Sequence, residues 1–111
     1  MTDLTSLLAL NGVVAALRFY DDGTLAEAEG QLTQIDVNLA AELCYENGRI
    51  LHQNSDILMT LSGVSGWPPR GWMMLGDALS ICAIASVACF VRNGEVSFND
   101  VFQALTEISR K

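Results

Sequence analysis

Basic side chains are few in this chain: six Lys and Arg face 13 Asp and Glu, leaving a net charge of −7 over 111 residues. The deficit sits in the first half, where nine acids from Asp3 to Asp56 meet only Arg18 and Arg49. After Val64, four acids and four bases balance. Such a surface repels phosphate backbones and anionic lipid, which argues against nucleic acid and membrane surfaces as partners. Long apolar runs are missing too, since the most apolar stretch, Leu79 to Val91, is too short to cross a bilayer as a helix. Met1-Thr2-Asp3-Leu4 lacks the basic start of a secretory signal. An odd number of cysteines, three, without an export signal points to reduced thiols and a cytoplasmic location.

Local chemistry is equally sparse. Cys44, His52, Cys82 and Cys89 are scattered with no short-spaced pair, whereas a zinc site needs four thiolate or imidazole ligands, so no metal is expected. Neither GxxxxGK[ST] nor GxGxxG occurs, and nothing supports a nucleotide or other cofactor. No nucleophile stands with a base, and the adjacent carboxylates of Asp21 and Asp22 are turn formers first, so the chain reads as a non-enzyme. No Pro-, Gly- or Ser-rich linker, repeat or low-complexity tract divides it, and residues 1–111 are expected to form one domain.

What is present is an ordered series of apolar patterns in a chain that is 50% apolar and only 17% charged. So high an apolar share in so small a body leaves some side chains without a place inside, and exposed patches of that kind mark partner surfaces. Leu4, Leu7 and Leu8 have helical spacing behind Thr2 as a cap, with Asn11-Gly12 as the stop. Val13 to Tyr20 reads as a strand, and Asp21-Asp22-Gly23 as a hairpin corner. Thr24 to Glu29 alternates, with Leu25, Glu27 and Glu29 on one face and Ala26 and Ala28 on the other, and its outward charges suit an edge strand. Met73-Met74-Leu75, Leu79 to Ile84 and Val87 to Arg92 read as strands, with turns at Gly76-Asp77 and Ala85-Ser86. Ala-Ser is poor turn chemistry, and one long strand is the competing reading. Ser97 with Asp100 caps a last helix striped by Phe98, Val101, Phe102, Leu105 and Ile108.

The longest pattern, about Ile35 to Leu61, predicts one amphipathic helix. Its apolar residues fill an arc of roughly 140° and resolve into two stripes. Ala40, Cys44, Gly48, Leu51, Ser55 and Leu58 are mostly small, which lets a helix sit close on a sheet. Leu39, Leu43, Ile50, Ile57 and Leu61 are bulky and aliphatic, suited to packing on another helix. Asn47 and Asn54 lie between the stripes, where a polar amide fixes register and partner number; reaching solvent at the rim is the alternative.

Two further groups stand out. Trp67, Arg70 and Trp72, around Pro68-Pro69, are residue types enriched in binding hot spots and form the candidate partner-binding loop. The plainer alternative folds both tryptophans over the sheet end and leaves Arg70 exposed. A turn at Ala85-Ser86 sets Ile84 opposite Val87, Ala83 opposite Ala88 and Cys82 opposite Cys89, within disulfide range. That register makes Cys82 and Cys89 a candidate redox pair, against the ordinary reading of two small apolar fillers.

The order helix, two strands, long helix, three strands, helix resembles the roadblock/dynein light chain family, and its single-domain prokaryotic members most closely. The resemblance is carried by Leu10-Asn11-Gly12-Val13-Val14-Ala15-Ala16 leading into Asp21-Asp22-Gly23, by the long helix, by Gly71-Trp72 with Gly76-Asp77, and by Val87 to Arg92 running into Ser97 to Leu105. None of these motifs is catalytic. The resemblance implies an α+β fold: a five-stranded antiparallel sheet with the long helix on one face and the N- and C-terminal helices on the other. It also implies a homodimer in which long helices pack together and third strands pair, with Leu39, Leu43, Asn47, Ile50, Asn54, Ile57, Leu61, Met73 and Met74 at the interface. Family members act as scaffolds or as regulators of small GTPases. The competing expectation is a ligand-sensing or thiol-redox-responsive domain of profilin-like shape.

Overall fold

A computed structural model of the chain describes residues 4–31, 33, 35–63 and 70–109. Its elements run α1 (Leu4–Leu8), β1 (Val13–Phe19), β2 (Leu25–Gly30), α2 (Val37–Gln53), α3 (Ser55–Ser62), β3 (Gly71–Leu75), β4 (Leu79–Ile84), β5 (Val87–Arg92) and α4 (Phe98–Ser109). The expected cap at Thr2 and the loop residue Trp67 lie outside the described residues.

The strands form one antiparallel sheet in the order β2-β1-β5-β4-β3, so β2 and β3 are its edges. Two cores sit on its two faces. On one side Ala16, Cys82, Val87, Cys89 and Val91 pack against Leu4 and Leu7 of α1 and Val101, Leu105 and Ile108 of α4. On the other, Leu17, Phe19, Ala83 and Ala88 meet Ala40, Ala41 and Cys44 of α2. The α+β class and the element order agree with the reading of the sequence, once α2 and α3 are taken as the long helix interrupted.

That interruption falls at Asn54, which leaves helical geometry at φ −89°, ψ 1°. Its N–H is shared between the carbonyls of Ile50 and Leu51, at 3.1 and 3.2 Å. The Ser55 hydroxyl donates to the His52 carbonyl over 2.8 Å and so competes with the helical ladder where it breaks. The helix expected to run unbroken to Leu61 is therefore two segments.

A second difference concerns β2. The register slips between Arg18 and Phe19: Arg18 pairs with Glu27, but Phe19 pairs with Leu25. The extra residue, Ala26, is a bulge, and a one-residue insertion reverses the faces beyond it. Leu25 and Ala28 thus share the α2 side, and Glu27 lies beside Arg18 at 3.4 Å. Simple alternation put Leu25 with Glu27, which the bulge overturns.

The doubtful turn is real. Ala85 and Ser86 join β4 to β5, and Ala85 takes φ 54°, the left-handed conformation that a two-residue hairpin demands. Phe19 N–H reinforces it by donating to the Ser86 carbonyl over 3.0 Å.

Candidate interaction face

Helix α2 starts where Asp36, in an extended conformation, accepts the Leu39 N–H on its carboxylate at 3.1 Å. An N-capping aspartate ahead of an apolar run was a readable signal that periodicity alone passes over. From that start, the small-residue stripe turns inward: Ala40, Ala41 and Cys44 are buried and Gly48, Leu51, Ser55 and Leu58 half-buried. The aliphatic stripe turns to water, with Leu43 39% exposed, Ile50 49%, Ile57 60%, Leu39 61% and Leu61 79%. Asn47 is half-buried beside this ridge, and Asn54 is exposed at the break.

The sheet is covered unequally. On the terminal-helix side, α1 packs on β1 and β2 while α4 packs on β4 and β5. On the opposite side α2 packs on β1 and β2. Strands lie about 4.8 Å apart, so five span roughly 19 Å, and a helix about 10 Å across covers little more than half of that. Beyond α2 on the same side lie Ile81, half-buried, its cross-strand partner Met74, 42% exposed, and Leu79, 43% exposed. The outer edge of β3, unpaired among the described residues, adds Met73 and Leu75, whose side chains alternate to the other face. Leu79 on the α2 face and Leu75 on the edge strand's other face are further exposed apolar residues that the sequence did not single out; their place beside the β3–β4 turn concealed them.

Arg70 is exposed at the start of β3, and Trp72 is half-buried against the α2-side core, so these two candidates are separated in role by burial. Both line a cleft of about 660 Å³ that also takes in Tyr45, Arg49 and His52 of α2 and Tyr20 of the first hairpin. Arg49 is held by Glu46 at 2.7 Å.

Cys82 and Cys89 are directly opposed on adjacent strands, as the register predicted, and both are wholly buried free thiols. Their mutual hydrogen bond pushes the Cys89 thiol up, with burial adding to it; the same bond draws Cys82 down against the effect of burial. Cys44, in the other core, is pushed up to about 12 by burial. Among the described residues no three His, Cys, Asp or Glu side chains are grouped to hold a metal ion, and no helix is long and apolar enough to cross a membrane.

The family model described as "Uncharacterized conserved protein (DUF2173)" matches residues 3–107. The chain belongs to the DUF2173 family. No curated protein matches its sequence. Its architecture is that of solved roadblock proteins. MglB of Myxococcus xanthus superposes with a TM-score of 0.73 at 18% identity, covering 98% of this chain and 85% of that one. A roadblock/LC7 domain from Streptomyces avermitilis gives 0.70 at 11% identity, over 96% and 88%. A structure described as MglB with tetrameric arrangement gives 0.75 at 13% identity, over 96% and 85%. This DUF2173 chain therefore has the roadblock fold, as its order of elements implied.

Proposed function

We propose that the protein is a non-enzymatic, self-associating module of roadblock type that scaffolds or regulates another protein, with a small GTPase as the partner class. The observation that carries this reading is the unequal cover of the sheet. Among the described residues, one face holds two helices and the other is covered by α2, flanked by an aliphatic ridge and an open apolar half. A second copy offers what fits there: another α2–α3 ridge to lie against Leu43, Ile50 and Ile57, and another β3 to pair with the free β3 edge. Solved relatives of this fold include an MglB in a tetrameric arrangement, which supports assembly between copies. The GTPase assignment rests on the resemblance to the roadblock family, whose members regulate such enzymes.

Sedimentation velocity at micromolar concentration tests self-association. The wild type is expected to run as a dimer or larger. Ile50→Asp, which sets a carboxylate where an isoleucine contributes ~1.5–3 kcal/mol on burial, is expected to run as a folded monomer. A wild-type monomer across this range overturns the reading. For the partner, capture of a small GTPase by the wild type but not by an Arg70→Ala variant is the expected result.

A further inference from the structure

The proposed function leaves the paired thiols in the terminal-helix core without a task. We propose that Cys82 and Cys89 are a reversible oxidation site, closed by a peroxide into a disulfide across the β4–β5 ladder. The inference stands apart from self-association and rests on the register of the sheet.

The register runs Ile84 with Val87, Ala83 with Ala88, and Cys82 with Cys89, anchored by the two-residue turn at Ala85-Ser86. Opposed residues of an antiparallel pair stand about 4.5–5.5 Å apart at their Cα atoms, inside the ~4.4–6.8 Å that a disulfide spans. Both side chains point to the same face of the sheet, into one core. Opposed Cβ atoms, however, sit about 4.5–5.5 Å apart, whereas a relaxed disulfide prefers ~3.5–4.5 Å. Closing the bond must draw the strands together, and a bond held under such tension is the reducible kind rather than a permanent staple. Cys44 cannot intercept the reaction, because it lies in the other core across the sheet.

The step balances with a peroxide as oxidant. The Cys82 sulfur, the one drawn toward ionisation by its partner, attacks the O–O bond; it becomes a sulfenic acid and one water leaves. The Cys89 sulfur then attacks the sulfenic sulfur, the S–S bond forms, and the departing hydroxide takes the Cys89 proton as a second water. Two thiols are oxidised by two electrons and one peroxide is reduced to two waters. Both thiols are buried, which makes the reaction slow and calls for excess oxidant, and Cys89 at hand resolves the sulfenic acid before further oxidation.

The test treats the native full chain with excess hydrogen peroxide, quenches with catalase, then unfolds, alkylates and maps the thiols by mass spectrometry. The expected result is a fall from three free thiols per chain to one, at Cys44, with loss of two hydrogens and full return after dithiothreitol. A Cys44→Ala variant is expected to fall from two to none. Three thiols surviving, oxygen atoms added irreversibly at Cys82 or Cys89, or a bond engaging Cys44 each overturns the proposal. The readout is per chain and does not depend on whether copies associate. Should the alanine variant not fold, mapping of the wild type alone decides.

Discussion

The Ser80 hydroxyl donates to the Asn93 carboxamide oxygen over 2.6 Å, and this bond locks the far end of the sheet. Ser80 is buried in β4 and receives the Gly76 N–H in turn. The Asn93 amide donates to the carbonyls of Gly76 and Asp77 at 2.9 and 3.3 Å, and its backbone N–H to that of Ala78. One residue after β5 thus holds the whole β3–β4 turn, and through it the edge strand that carries Met73 and Met74.

Asn93→Ala leaves the Ser80 hydroxyl buried and short of a partner, which costs about 1–3 kcal/mol. Urea unfolding is expected to show that loss, and hydrogen exchange to show faster opening of Gly71–Leu75 than of β1. Uniform exchange across the sheet runs against this account.

Burial separates two positions on the α2–α3 rod. Ala41 is wholly buried and Ile57 is 60% exposed. Below the concentration of self-association, Ile57→Asp is expected to change stability by less than about 0.5 kcal/mol. Ala41→Asp sets an unpaired carboxylate against the sheet and is expected to prevent folding, read by circular dichroism.

Cys44 gives a pH signature. Its thiol moves from 9.0 to about 12 on folding, so the native chain keeps a proton that the unfolded chain releases. Stability from this group is whole below pH 9 and drains away as pH rises toward 12, by an amount on the order of 4 kcal/mol at most. The difference in urea midpoint between wild type and Cys44→Ala is expected to shrink across that window. A constant difference removes the argument.

Much of this architecture was legible from side-chain order alone. Period-3.6 spacing separated the inward stripe of Ala40 and Cys44 from the outward one of Leu39 and Ile57, because a helix fixes which residues share a face. The Cys82–Cys89 register followed from a turn placed at Ala85-Ser86, since a hairpin ladder counts outward from its loop. What escaped was set by tertiary competition. The bulge at Ala26 needs the register of β1 beside it, and the break at Asn54 depends on a Ser55 hydroxyl taking a helical carbonyl. Neither leaves a mark in hydrophobic spacing. Leu79, in the open apolar half beyond α2, escaped as well although Met74 beside it was expected at an interface, because no pattern within one strand tells how many helices will lie over it.

Helices α1 and α4 touch each other on the face opposite α2. A fluorescent dye or an affinity tether carried on an exposed position of either helix, Thr5 or Gln103, therefore sits at the rear of the molecule. The protein can be held on a bead or a surface through it with the aliphatic ridge still turned toward the solution.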